Sequence, residues 1–214
     1  MKKVYLFTLS ITALVLSFIG CITKQTAETV KDIDGNIYKT VEIGDQVWMQ
    51  ENLKTTKYND GTPIPNVTDI TEWRHCDSPA FVWYDNDISY KEQYGALYNW
   101  HAVGDRPGLC PEGWHVPSDE EWKQLEMYLG MTKEQADGTV WRGTNEGGKM
   151  KEAGTEHWTN PNKGATNESG LTVIGTGRRF TNGLFGTIKE GYGLPLQVPF
   201  QVRHIDILQQ AILE

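Results

Sequence analysis

Four carboxylates fall in pairs close enough along the chain to suggest acid–base chemistry: Asp85 with Asp87, and Glu120 with Glu121. Glycoside hydrolysis needs two carboxyl groups facing one another across a sugar bond, about 5 to 9 Å apart. Alternation would send Asp85 and Asp87 to one side of an extended chain, yet they follow an apolar run and more simply close its turn. Glu120 and Glu121 lie in the first turn of an expected helix, where the macrodipole stabilises negative charge with no further partner. For the helical pair the structural role outweighs the catalytic one. Five histidines, His75, His101, His115, His157 and His204, are scattered, and no two stand at the i,i+4 spacing of a helical zinc site. Neither a nucleophile elbow, nor a phosphate loop, nor a dinucleotide fingerprint is present. The chain is therefore expected not to be an enzyme and to hold no cofactor and no metal.

Sugar binding is the chemistry that remains. Trp and Tyr faces stack on pyranose rings while neighbouring Asn, Asp and Glu bond the hydroxyls. The glycine-broken region after residue 140 supplies the candidates: Trp141, Asn145, Glu146, Trp158, Asn160 and Asn167. Core anchoring is the competing role for both Trp, because a loop-dominated fold has few other ways to bury area. His115 beside Trp114, and His157 beside Trp158, read as half-buried rings with a polar tip.

These groups must be positioned by short elements. Thr29-Val30, Ile37 to Val41 and Gln46 to Met49 form an opening β-meander, with tight turns at Asp32-Ile33-Asp34-Gly35-Asn36 and Gly44-Asp45. The acidic first turn lacks the distal Glu and flanking helices of an EF-hand, so a plain hairpin turn is expected. Pro63 and Pro65 enforce extended backbone up to a short turn at Thr68 to Glu72. Ala80 to Tyr84 reads as a buried strand, and Tyr94 to Val103 as a short helix ended by Gly104. Ser118 with Glu121 makes a capping box, so a helix begins at Asp119, carries Trp122, Leu125 and Leu129 on one face, and stops at Gly130. Thr132 and Gln135 repeat the spacing for a second helix ending near Gly138. Gly143, Gly147, Gly148, Gly154, Gly164 and Gly170 then break the chain into irregular loops pinned by Trp141, Trp158 and Leu171.

The N-terminus carries a separate message. Lys2 and Lys3 precede an apolar run from Val4 to Ile19, and Gly20-Cys21 follows. Residues 1–20 resemble a bacterial lipoprotein signal, which implies that Cys21 becomes the lipidated first residue, although Phe18 stands where such signals prefer Leu. Residues 21–29 then form a polar tether. The expected compartment is the bacterial cell envelope, the outer membrane or cell surface, with the membrane as a partner through the lipid anchor. Export permits Cys76 and Cys110 to pair as a disulfide or to remain free thiols. A net charge of −8 repels phosphate backbones, and no Arg/Lys stripe offsets it, so nucleic acid is not an expected partner.

Tyr94 to Trp122 reads YGALYNWHAVGDRPGLCPEGWHVPSDEEW, which packs three Trp, two Tyr and two His among Gly-Pro turns. This block, with DIDGNIYKTVEIGDQVWMQENL before it and GGKMKEAGTEHW and ATNESGLTVIGTGRR after it, resembles the Fibrobacter succinogenes major paralogous domain family. The resemblance spans residues 30–193. It implies an α+β, C-type-lectin-like domain: two short helices beside twisted antiparallel β-hairpins, with long irregular loops. It also implies binding or adhesion toward a glycan or a surface protein, with a polysaccharide-acting hydrolase or a structural surface protein as alternatives. Val82 stands where members often place a Cys. Residues 194–214 depart from the family, whose closing strands are expected to be missing here. A shifted reading frame, giving a non-functional truncated paralogue, and a genuine variant terminus with a helix over Ile205 to Leu213 are both compatible with that tail.

Overall fold

The computed structural model describes residues 29–104, 108–138, 140–189, 198–200 and 212–213, of which 140, 141, 198–200 and 212–213 are described by their backbone alone. The expected signal, Cys21, the expected tether as far as Glu28 and most of the tail lie outside these residues.

The opening meander forms as expected. Strands β1 (Thr29–Lys31), β2 (Ile37–Ile43) and β3 (Gln46–Met49) pair antiparallel. The acidic turn between β1 and β2 is a polar anchor rather than a cation loop. Asp32 accepts hydrogen bonds from the Asn36 backbone N–H at 2.8 Å and from the Tyr38 hydroxyl, and that hydroxyl in turn accepts from the Lys54 N–H at 3.0 Å. Asp34 accepts from the Thr56 N–H at 2.6 Å and the Thr56 hydroxyl at 2.8 Å, and pairs with the Lys57 ammonium at 3.0 Å. Burial works to raise the Asp34 pKa, but the Thr56 and Lys57 donors outweigh it and hold the carboxyl below its ordinary value. Together the two carboxylates lock the hairpin to the irregular segment 54–57, whose Thr55 carbonyl accepts from the buried Tyr98 hydroxyl at 2.6 Å.

A five-residue helix, α1 (Ile70–Arg74), replaces the expected turn, because Asp69 caps the amides of Thr71 and Glu72. Strand β4 (Phe81–Trp83) is buried as expected and leads through two single-turn 3-10 segments into α2 (Lys91–Tyr94). The single helix expected over Tyr94 to Val103 is corrected. Ala96–Tyr98 is a strand, β5, paired antiparallel with β4, and only α3 (Trp100–Gly104) is helical. Two residues explain the switch. Gly95 takes φ 71° where a Cβ would stand 2.6 Å from the Leu53 carbonyl oxygen, which ends α2. Buried Asn99 starts α3, its Oδ1 accepting from the Ala102 and Ala80 N–H groups at 3.0 Å each.

After the two-residue strand β6 (Trp114–His115) comes α4 (Asp119–Tyr128), with the expected capping box between Ser118 and Glu121, and then α5 (Lys133–Ala136), capped by Thr132 and Gln135. Beyond β7 (Val140–Arg142), the glycines expected to break the chain instead include Gly147 and Gly148 inside a short helix, α6 (Glu146–Met150). Both are buried, where the absence of a side chain lets segment 166–169 approach: the Thr166 and Ser169 N–H groups donate to the Gly148 and Lys149 carbonyls. Strands β8 (Arg178–Arg179) and β9 (Phe185–Gly186) close a hairpin.

Two tail segments are strands. β10 (Val198–Phe200) pairs with β7, and β11 (Ile212–Leu213) lies between β3 and β6, giving the sheet order β1-β2-β3-β11-β6. This corrects two expectations. The edges of β3, β6 and β7 are not left without closing strands, and Ile212 and Leu213 are extended rather than helical. An unpaired edge recruits any backbone able to extend, and β-branched Ile212 and Val198 suit that geometry. The rest of the expected tail helix lies outside the described residues. The architecture is thus α+β: small antiparallel sheets, short helices and long loops.

Rings dominate the core. One buried cluster gathers Tyr38, Tyr58, Phe81, Trp83 and Tyr98; a second gathers Trp48, Leu125, Met150, Trp158 and Leu171. Trp158 is 5% exposed, donates its indole N–H to the Val173 carbonyl at 3.0 Å, and has the Lys151 ammonium over its ring at 4.0 Å. Buried charges pin the loops to this core. Arg179, 1% exposed, donates to the carbonyls of Gly183, Val67 and Thr68 and lies over the Trp73 ring at 4.5 Å. Arg142 grips fully buried Glu126 at 2.7 and 3.2 Å and Asp119 at 2.8 Å, fastening β7 to α4. Burial opposes the Arg142 charge, but the two carboxylates overcome it and raise its pKa. For Glu126 burial is the larger effect and pushes the carboxyl up to about 7 against the pull of Arg142.

Two outcomes are expected. A carboxyl whose folded pKa exceeds its unfolded value contributes stability that is complete below about pH 4.5 and lost as pH rises through about 7. The denaturant midpoint of the wild type will therefore fall relative to Glu126→Gln between those pH values and run parallel above them; a rise would show that the ion pair outweighs burial. Trp158→Ala will cost about 3–5 kcal/mol in denaturant unfolding, and a loss under about 1 kcal/mol would remove Trp158 from the core.

Candidate functional site

Residues 83–94, reading WYDNDISYKEQY, build the most distinctive surface of the domain. β4 delivers Tyr84 to its end, and Asp85 and Asn86 then take left-handed backbone at φ 52° and 56°. That reversal needs short polar side chains, which tolerate positive φ best after glycine. Asp87 restarts the chain by accepting from the Ser89 N–H at 2.8 Å, and α2 follows, placing Tyr90 and Tyr94 one turn apart.

The rings line up across the surface. Phe185 meets Tyr84 at 5.5 Å, Tyr84 meets Tyr90 at 5.2 Å, Tyr90 meets Tyr94 at 5.8 Å, and Tyr94 meets His157 at 5.8 Å, mostly edge to face. Tyr94 is buried, whereas Tyr84, Tyr90 and His157 are half-buried. Gly177, at φ 68°, lets the β8 strand pass where a Cβ would stand 2.7 Å from the Tyr84 ring. Burial raises the phenol pKa of both Tyr84 and Tyr94, so they remain hydroxyl donors across the physiological range.

At one end of the row, loop 152–159 brings polar groups. The Glu152 carboxylate meets His157 Nδ1 at 2.8 and 2.9 Å, and the amide of Gln93, on α2, reaches His157 Nε2 at 2.6 Å. Glu156 completes a group whose candidate ligand atoms all lie within 4.8 Å of one another. The loop is held from behind: the Glu152 N–H donates to the Val173 carbonyl at 2.9 Å, the Gly175 N–H to the His157 carbonyl at 3.3 Å, and the Thr159 N–H to the Lys189 carbonyl at 2.9 Å.

The six residues expected to bind sugar do not form one surface. Trp158 is a core ring with its N–H spent and one face covered by Lys151, so its expected stacking role is withdrawn. Glu146 is 3% exposed and spends its carboxylate on the Thr144 and Asn145 N–H groups at 2.7 and 3.1 Å. Asn167, half-buried at φ 52°, closes its own loop onto Thr172 through both side-chain atoms. Asn145 and Asn160 are exposed. Trp141 lies on β7, its side chain outside the description. The carboxylate pairs keep the structural roles read for them. Glu121 serves Ser118 and His115, Glu120 pairs with Lys123, and Asp87 caps its turn. Cys76 and Cys110 stand as free thiols, and burial pushes the Cys110 thiol up to about 12.

The sequence reading missed the ring row because its members are joined by tertiary contact: Phe185 lies about a hundred residues from Tyr84. The Tyr90-Tyr94 spacing was the local signal that could have found it. Among the described residues, no helix is long and apolar enough to cross a membrane.

No curated protein and no solved structure matches the chain. The Fibrobacter succinogenes major domain, by contrast, matches residues 41–192. That span begins in β2 and takes in the Trp-rich block, the ring row and the β8–β9 hairpin, and since it covers more than half of the chain, the protein belongs to the Fibrobacter succinogenes major domain family.

Proposed function

We propose that this protein is a bacterial envelope lipoprotein, tethered to the membrane through an acylated Cys21, whose C-type-lectin-like domain binds a glycan or a surface protein without catalysis. The tether rests on the basic start, short apolar run and Gly20-Cys21 junction. Two or more acyl chains hold a domain firmly, because each buried methylene contributes roughly 0.8 kcal/mol and one chain alone is marginal.

The observation that carries the binding role is the row of half-buried rings at Tyr84, Tyr90 and His157, the first two on single 3-10 turns and the last on a loop whose backbone is fixed from behind. Rigid rings with polar edges offer stacking area at little entropic cost. Asp85, Asn86 and Gln93 stand beside them as hydroxyl partners, all three exposed. Support for binding over hydrolysis comes from Asp87 and Glu121, which are committed to caps. The ligand surface thus moves from the residues first singled out to this row.

A glycan array probed with the wild type and with Tyr84→Ala and Tyr90→Ala tests the reading. Loss of one stacking ring, about 1 kcal/mol, is expected to weaken binding by five- to tenfold while the fold survives. Cleavage of a bound glycan, abolished by Asp85→Asn, would instead establish the hydrolase. Metabolic labelling with a palmitate analogue is expected to mark the wild type and to spare Cys21→Ser; an unmarked wild type would refute the tether.

A further inference from the structure

We propose that Glu152, Glu156 and His157 form a binding site for a divalent transition-metal ion of the zinc type. This goes beyond the binding role of the ring row and does not depend on it. Two carboxylates and one imidazole present ligand atoms within 4.8 Å of one another. A four-coordinate zinc ion, with bonds of about 2.0–2.2 Å, spaces neighbouring ligand atoms by about 3.4 Å. The Glu156 carboxylate therefore has to close in by about 1.4 Å at most, which rotation of its exposed side chain supplies, while the Glu152–His157 contact at 2.8 Å opens to the ligand spacing. The imidazole decides the metal class: calcium and magnesium take oxygen ligands, whereas nitrogen with carboxylate suits zinc and its neighbours.

The charge balance points the same way. Among the described residues, Glu152 has an ion pair with His157 alone and Glu156 has none. The adjacent cation, Lys151, does not answer them, because its ammonium is turned onto the Trp158 ring at 4.0 Å. Two carboxylates thus converge with no Lys or Arg between them. Their loop does not have to be organised by the ion, since Glu152 is tied to Val173, His157 to Gly175, and the Asn162 amide to the carbonyls of Glu152 and Gly154 at 2.8 Å each.

The surroundings also fit a ligating histidine, which as a rule gives its second ring N–H to an oxygen acceptor. With Nδ1 toward the ion, Nε2 keeps its hydrogen and faces the Gln93 amide at 2.6 Å. A half-turn of that amide places its oxygen there as acceptor. The Tyr94 ring, edge to face with the imidazole at 5.8 Å, fixes the ring plane. Three protein ligands leave a fourth position for water or for an oxygen of a bound molecule.

Titration of the chelator-stripped full chain with zinc chloride, followed by calorimetry, tests the site, and cobalt(II) absorption reports the coordination directly. One equivalent is expected to bind. His157→Ala, Glu152→Gln and Glu156→Gln are each expected to weaken it at least tenfold and to diminish the cobalt band. Gln93→Ala is expected to weaken it about tenfold, as loss of an outer-shell partner does. His115→Ala, which disrupts the other His-Glu pair, is expected to change nothing. Because Glu156 is exposed, its variant will melt like the wild type and decides the matter if a Glu152 variant fails to fold. No saturable uptake by the wild type at 1:1, or uptake unchanged in Glu156→Gln or His157→Ala, would overturn the proposal.

Discussion

Two carboxylates in the first hairpin turn, Asp32 and Asp34, hold together parts of the chain that no regular ladder joins. Between β3 and α1 the backbone runs for twenty residues without a helix or a named strand, and each of its buried N–H and C=O groups still needs a partner. Asp34 supplies one to Thr56, and Asp32, through Tyr38, supplies one to Lys54. From there the network reaches the Tyr98 hydroxyl and so the β4–β5 pair. A side-chain acceptor that serves two or three donors at once substitutes for the hydrogen bonds a strand would have made.

The same device recurs wherever the chain is irregular. Arg179 satisfies carbonyls of segment 67–69 from the β8 strand, Asn99 joins three backbone groups around α3, and Asn167 closes its own loop. None of these groups is exposed, and all are matched. Their collective effect is to make loops as fixed as elements, which a binding surface built on loops requires. The ring row depends on this directly: Tyr84 and Tyr90 sit on single 3-10 turns, Phe185 arrives on β9 to meet Tyr84, and His157 arrives on a loop held by carbonyl contacts to meet Tyr94.

Features encoded locally were legible from the chain. The Ser118-Glu121 and Thr132-Gln135 capping boxes, the meander turns and the half-buried state of His115 and His157 each follow from residues within a few positions of one another. Ala96–Tyr98 was misread because a short apolar run has no decisive period, and the burial of Asn99 that starts α3 depends on Ala80 from a distant strand. Gly147 and Gly148 read as breakers because propensity ignores the close approach of segment 166–169 that makes small residues useful there. The candidate sugar site failed for a related reason. Trp158, Glu146 and Asn167 have the right chemistry for hydroxyl recognition, but that chemistry is spent inside the protein on Val173, Thr144 and Thr172. Residue type alone does not distinguish a polar group offered to a ligand from one satisfying the chain's own backbone. The tail shows the converse: residues beyond the span that matches the family supply backbone to the edges of three strands, β3, β6 and β7.

Native-state hydrogen exchange is the most direct test that side-chain acceptors, rather than ladders, hold the loops. The Thr56, Lys54 and Asn36 amides should exchange only with global unfolding, at the same free energy as the amides of the β2–β3 ladder. Exchange of these three by local opening, while that ladder stays protected, would contradict the account.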